Sequence, residues 1–216
     1  MNNTLICFFG WGRKAFVEKC LPKAIINKRK QDRLLVIDQE MHNFDIYNKY
    51  KEDIDYLVFF KRNYFIGPVW SFFRRFIQWL GDNKFLGGNE GWQPDYICIL
   101  ESDAFIDDFL LDKLLPLFEE YKDWRPVVAT GYFGEKDPNE RIIKKFENGV
   151  IIKPAVHGVN VLVRIKDFLK VKDYPKFTQD MYFSDKITGG IKNVVCKPFL
   201  VIHLGDDYRR KAGFFK

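Results

Sequence analysis

Short apolar runs, each ended by a glycine or an acid, punctuate the first half of the chain. Leu5-Ile6-Cys7-Phe8-Phe9 closes at Gly10, Leu34-Leu35-Val36-Ile37 stops at Asp38, and Tyr96-Ile97-Cys98-Ile99-Leu100 stops at Glu101-Ser102-Asp103. Runs with no polar alternation read as strands buried on both faces. Residues 54–60 read as a further strand. Between the first two strands, Phe16, Cys20, Leu21, Ala24 and Ile25 recur at helical spacing, with Pro22 placed to kink or split that segment. Residues 70–80 read as an aromatic-rich helix behind Pro68, and 107–119 as another helix. Strands alternating with helices along the chain in the β-α-β manner predict a mostly parallel central sheet with helices on both faces. Gly81, Gly87, Gly88 and Gly91 mark a mobile loop before the strand at Tyr96.

The second half is patterned differently. Residues 127–132 and 159–163 read as strands, and 141–153 as a hairpin around Glu147-Asn148-Gly149. Residues 179–187 read as a short helix closed by Gly189-Gly190, and 194–197 and 199–203 as late strands parted by Pro198. Nothing of linker composition separates the halves. One domain over 1–216 is expected, with a nucleotide-binding half at 1–103 and a mixed, hairpin-bearing half at 104–216.

Composition narrows the class. Of 216 residues, 47% are hydrophobic and 30% charged, the balance of a folded domain rather than a disordered chain. No run of eighteen apolar residues exists, so no membrane-spanning helix is expected. The start, Met1-Asn2-Asn3-Thr4, lacks the basic region of a secretory signal. Cys7, Cys20, Cys98 and Cys196 form no CxxC pair and read as reduced core thiols, a disulfide or zinc set being the other reading. These features point to the cytoplasm, in solution or at the periphery of a membrane. The formal net charge is +6, concentrated at Arg13, Lys14, Lys19, Lys23, Lys28, Arg29, Lys30 and Arg33 and in the tail. That stretch is either a face for an anionic partner (nucleic acid, membrane or diphosphate) or a solvated helix face. No GxxxxGK[ST] or GxGxxG phosphate loop is present.

The chemistry-bearing residues sit at the ends of the apolar runs. In open α/β sheets ligands gather beyond the carboxyl ends of the strands. Asp38 ends one strand, and Glu101 and Asp103, with small Ser102 between them, end another. Such oxygens suit Mg²⁺ or Mn²⁺ shared with a diphosphate. The same triplet could instead cap a helix. His157-Gly158-Val159-Asn160 precedes a strand, Thr178-Gln179-Asp180 opens a helix, and Val201-Ile202-His203-Leu204-Gly205 ends the last strand. Each alone reads as structural; their order is what carries information.

That order resembles the GT-A fold nucleotide-sugar glycosyltransferases, especially the inverting family 2 type, over about Leu5 to Gly205. Ile6-Cys7-Phe8-Phe9-Gly10-Trp11-Gly12-Arg13 is similar to the family's first strand and turn, where the nucleobase packs. Leu35-Val36-Ile37-Asp38 resembles the second strand, whose last Asp contacts the base. Tyr96 to Asp103 resembles the strand carrying the DxD metal motif. Phe177-Thr178-Gln179-Asp180 resembles the motif holding the catalytic base. Asn63 and the Ile202-His203-Leu204-Gly205 ending are weaker echoes. Glu101 stands for the first DxD acid, Gln179 for a usual Glu, and Gly12 for a frequent Asn.

The resemblance implies a Rossmann-like GT-A fold and transfer of a sugar, UDP-linked in the first place, from a nucleoside diphosphate to an acceptor hydroxyl with inversion. It implies nucleotide contacts at Phe9, Trp11, Asp38, Asn63 and Ser102. It implies a metal, Mn²⁺ or Mg²⁺, at Asp103 with His203 and Glu101, and a catalytic base at Asp180. Trp92, Tyr132, Phe133 and His157 read as acceptor-side groups or as packing. The acceptor expected first is a glycan, free or lipid-linked. The alternatives are modified bases in DNA, or a non-catalytic nucleotide- or glycan-binding domain of the same fold.

Overall fold

The structure is a computed structural model, described here for residues 2–62, 66–81, 92–133, 142–155, 159–170 and 193–205. The first half contains β1 (Thr4–Trp11), α1 (Lys14–Ile26), β2 (Arg33–Gln39), α2 (Phe44–Lys49), β3 (Tyr56–Phe60), α3 (Ile66–Gly81) and β4 (Tyr96–Glu101). The second contains β5 (Ala104–Ile106), α4 (Leu110–Leu114), α5 (Leu117–Glu120), β6 (Val128–Thr130), β7 (Lys144–Lys145), β8 (Ile151–Lys153), β9 (Asn160–Arg164), α6 (Ile165–Phe168), β10 (Val194–Cys196) and β11 (Val201–His203).

Nine strands form one sheet in the order β3-β2-β1-β4-β9-β6-β10-β8-β7. The first four are parallel neighbours. β9 inserts antiparallel between β4 and β6, β10 joins β6 in parallel, and β8 and β7 close the edge as a hairpin. By direction only β8 and β9 run against the rest, so the sheet is mostly parallel in orientation although its second half pairs in mixed fashion. β5 and β11 form a separate antiparallel pair.

Two clusters explain why the strands show no polar alternation. Ile6, Phe8, Leu34, Val36, Cys98 and Leu100 face α1, α2 and α4 on one side. Leu5, Cys7, Leu35, Ile37, Ile97 and Ile99 face α3 and α6 on the other. Each such side chain contributes about 1.5–3 kcal/mol on burial, and a strand covered on both faces needs apolar residues at every position. α3 supplies the stripe Val69, Phe73, Phe76, Ile77 and Leu80. The four cysteines are buried and free. Among the described residues no helix is long and apolar enough to cross a membrane.

Local expectations were corrected in three places. α1 runs unbroken through Pro22; Glu18, four residues earlier, is exposed, so the carbonyl that loses its partner has water to turn to. The helix expected at 107–119 starts later and is divided. Asp107 Oδ1 accepts the Phe109 N–H at 2.8 Å and Lys113 Nζ at 2.7 Å ahead of α4. Pro116, which lacks an N–H, then separates α4 from α5. Ala104 to Ile106 is a strand because it pairs with β11, a partner far along the chain. The 147–149 turn formed as expected, with Gly149 at φ +80° and the Phe146 N–H donating to Val150 O at 2.8 Å. The expected helix at 179–187 and most of the glycine-rich loop lie outside the described residues.

The topology already singles out one place. From β1 the chain proceeds to β2 and β3 on one side, then returns to β4 on the other. The carboxyl ends of β1 and β4 therefore flank a crevice at the switch point, where such sheets bind ligands.

Candidate functional site

β1 delivers Gly10-Trp11-Gly12-Arg13 to one wall of this crevice, and Gly12 takes a left-handed turn at φ +52°. Arg13 is the N-cap of α1, and no acid lies in that helix's first turn. A cation at the positive end of a helix dipole is unfavourable without an anionic partner. The partner is Asp103, with which Arg13 Nη1 forms an ion pair across a separation of 90 residues.

β4 delivers the other wall. After Glu101 the chain turns through buried Ser102 and Asp103 into β5. The β5–β11 pairing sets His203 opposite Ala104, next to Asp103. His203 Nε2 lies 3.2 Å from Asp103 Oδ2, and the Leu204 N–H donates to the Asp103 carbonyl at 2.9 Å. One ligand atom from each of Glu101, Asp103 and His203 falls within 4.8 Å of the others. Gly205 closes the space: a Cβ there would stand 2.5 Å from Asp103 Oδ2 and 3.0 Å from both Arg13 Nη1 and His203 Nε2. Burial works to raise the Asp103 pKa. The His203 hydrogen bond and the charges of His203 and Arg13 outweigh it, holding the carboxyl below its ordinary value. Two convergent carboxylates and one imidazole at a switch-point crevice fit a divalent cation of the Mg²⁺ or Mn²⁺ class, completed by phosphate oxygens.

Asp38, one residue before the end of β2, lies beside Gly10 and is fully buried. It accepts the Asn43 N–H at 3.3 Å and Asn43 Nδ2 at 3.4 Å, bracing a turn in which Glu40 and Met41 are left-handed at φ 69° and 57°. Burial raises its pKa despite those bonds. Among the described residues, the Tyr47 hydroxyl and Asn43 Oδ1, also buried, have no well-formed hydrogen bond. Burial, and then the Asp38 charge, push the Tyr47 phenol up. Asp38 therefore shapes this end of the crevice through the turn it holds.

The remaining predicted residues divide. Tyr132 is brought to the site, its ring perpendicular to His203 at 5.9 Å between centroids. Phe9 packs edge-on against Phe73 of α3 at 5.7 Å and forms part of the core wall. Trp11 is the last residue of β1. Trp92 lies elsewhere. Its Nε1 donates to Gln31 O at 2.9 Å and its ring meets Arg33, ahead of β2, so it lies at the amino ends of the strands, away from this crevice. Asn63, His157 and Asp180 are outside the described residues. Val159 does reach the site, its carbonyl accepting the Glu101 N–H at 3.2 Å.

The basic stretch is largely paired rather than presented as one face. Lys14 meets Asp45 at 2.5 Å, Lys23 meets Asp108 at 2.6 Å, Lys28 meets Asp55 at 3.0 Å, and Arg29 meets Asp32 at 2.7 Å. Arg13 and Gly205 are the site residues that sequence reasoning did not single out. A usable signal existed for Arg13: an arginine at a helix start with no acid in the first turn requires an anion from elsewhere.

No protein-family model and no curated protein matches the chain. Solved structures do. The mannosyltransferase PcManGT from Pyrobaculum calidifontis, in complex with GDP-Man and Mn²⁺, matches with a TM-score of 0.64 at 10% identity, over 91% of this chain and 55% of that one. S. aureus TarS matches at 0.61 and 11% identity, over 92% and 35%. TarS residues 1–349 in complex with UDP-GlcNAc match at 0.59 and 12% identity, over 91% and 56%. The likeness is one of fold. The chain shares the α/β architecture of these proteins, and it spans between about a third and somewhat over half of their length.

Proposed function

We propose that the chain is a metal-dependent glycosyltransferase domain that moves a sugar from a nucleoside diphosphate, UDP in the first place, to an acceptor hydroxyl with inversion. The observation that carries this reading is the convergence of Glu101, Asp103 and His203 at the crevice between β1 and β4. The fold shared with transferases solved with GDP-Man and Mn²⁺ and with UDP-GlcNAc supports it.

Asp103, Glu101 and His203 would hold a divalent cation, which when bound offsets the charge growing on a departing diphosphate. Trp11 and the turn braced by Asp38 would take the nucleobase, and Ser102 and Asn63 would contact the nucleotide. Asp180 accepts the proton of the attacking hydroxyl, and a single displacement aided by one base inverts the anomeric centre. Residues 1–103 supply the nucleotide half and 104–216 the acceptor half. A glycan, free or lipid-linked, is the acceptor class, with Tyr132 and His157 toward it. DNA is the alternative acceptor, and the pairing of Lys14, Lys23, Lys28 and Arg29 with acids weighs in favour of the glycan.

The test is a thermal-shift panel of nucleoside diphosphates and nucleotide sugars, each with Mn²⁺, Mg²⁺ or EDTA. A ligand at one hundred times its Kd stabilises by about 2.7 kcal/mol, a rise of roughly 5–10 °C for this size. The expected result is a rise with one diphosphate that disappears in EDTA and in Asp103→Asn. No rise with any nucleotide refutes the reading.

A further inference from the structure

The oxygen best placed to bind a cation is already engaged by one. Asp103 Oδ2 takes both the Arg13 guanidinium and His203 Nε2. The Asp103 side chain is 3% exposed while that of Arg13 is 40% exposed, so the anion is fixed and the cation has open space beside it. Arg13 starts from the N-terminus of α1, directly after the Gly10-Trp11-Gly12 turn, where backbone N–H groups and the helix dipole favour a phosphate. A guanidinium and a divalent cation on the same carboxylate oxygen repel strongly in so enclosed a place. One must leave when the other arrives.

We propose that Arg13 is an internal counter-ion occupying the cation seat in the unliganded chain, and that metal binding transfers it from Asp103 to the donor's diphosphate. The inference rests on the functional reading above and adds an ordering of events to it. Paired with Arg13, the buried Asp103 carboxylate does not stand without a counter-charge. When Asp103, Glu101 and His203 take a divalent cation, Arg13 loses its partner. An anion at the start of α1 restores that partner. Metal and nucleotide therefore each strengthen the other's binding, as linkage requires, and Arg13 is the positioning residue that couples them.

The experiment measures Mn²⁺ binding from the paramagnetic signal of free Mn²⁺, with and without UDP, on the full chain, on Arg13→Met and on Arg13→Lys. Circular dichroism and melting curves establish that each variant is folded. In the native chain UDP is expected to tighten Mn²⁺ binding about tenfold or more, within the usual range of allosteric coupling. In Arg13→Met, Mn²⁺ alone should bind about tenfold tighter than in the native chain, and the further tightening by UDP, then left to direct phosphate ligation of the metal, should be several-fold smaller than in the native chain. Arg13→Lys keeps a charge and should stay near the native Mn²⁺ affinity, which keeps the test open if Arg13→Met does not fold. Mn²⁺ affinity without UDP that is unchanged or weaker in Arg13→Met overturns the exchange. So does tight Mn²⁺ binding to the native chain that is indifferent to UDP, or a loss of competition in Arg13→Lys equal to that in Arg13→Met. UDP binding in EDTA that depends on Arg13, with no Mn²⁺ binding to any protein, overturns the exchange but leaves a nucleotide-binding domain. Tighter Mn²⁺ binding in Arg13→Met with no nucleotide binding supports the counter-ion and refutes the transferase reading.

Discussion

Gly205→Ala perturbs the site without removing any group that carries its chemistry. The added Cβ would stand 2.5 Å from Asp103 Oδ2, where ordinary contact begins at 3.4 Å, and 3.0 Å from Arg13 Nη1 and His203 Nε2. The carboxylate must retreat by about 1 Å, and a displacement of that size at a reacting centre costs on the order of 10²-fold in rate. Asp103 has little freedom to yield. Its carbonyl accepts the Leu204 N–H, and the β5–β11 pairing fixes the strand that follows it. Crowding of this kind destabilises by about 1–3 kcal/mol, which for this size lowers the melting temperature by several degrees, at roughly 2–4 °C per kcal/mol. The assay is the rate of UDP release from a nucleotide sugar in Mn²⁺, alongside Mn²⁺ affinity and the melting curve. The reasoning predicts a fall in turnover of about 10²-fold, weaker Mn²⁺ binding, and modest destabilisation. An unchanged melting temperature with Mn²⁺ affinity and turnover within twofold of native would refute the placement of Gly205 against Asp103, Arg13 and His203.

Two further predictions concern the scaffold. Phe73→Ala should destabilise the chain by about 3–5 kcal/mol in denaturant titration, because Phe73 is fully buried with edge-on partners Phe9 at 5.7 Å and Phe168 at 5.2 Å; a loss below 1 kcal/mol would contradict that packing. Asp38→Asn should be stabilising at neutral pH. Burial raises the folded pKa of Asp38, so its ionised form costs stability above that pKa, and the cost disappears as pH falls through it. The amide oxygen keeps the Asn43 N–H, and its NH2 can donate to Asn43 Oδ1 once the Asn43 side-chain amide turns over, an oxygen that has no well-formed partner among the described residues. The expected gain is about 1 kcal/mol, or 2–4 °C, at pH 7, shrinking toward acid pH; a gain that grows toward acid pH reverses the argument.

Much of the scaffold was legible because burial leaves a local trace. Strands covered on both faces need apolar residues at every position, so β1, β2 and β4 announce themselves, and the acids at the carboxyl ends of β2 and β4 mark the functional edge. α2 was not located, since six residues carrying only Ile46 and Tyr47 as buried side chains leave too short a period to read. The division of 107–119 was missed because it depends on Asp107 and Pro116 acting with β5, whose partner strand is β11.

The sequence by itself determined which segments are buried, their order, and the acidic chemistry at the strand ends. Only the tertiary structure decided which ends meet. His203 reaches Asp103 across 100 residues through one antiparallel pairing. Arg13 reaches it across 90 because the switch point sets β1 beside β4. Trp92, aromatic and next to a strand like the others, goes to the opposite end of the sheet. Local pattern reports whether a residue leaves water. It carries no information about which distant carboxylate offsets a charge, because that partner is selected by strand pairing and register, properties of the whole sheet.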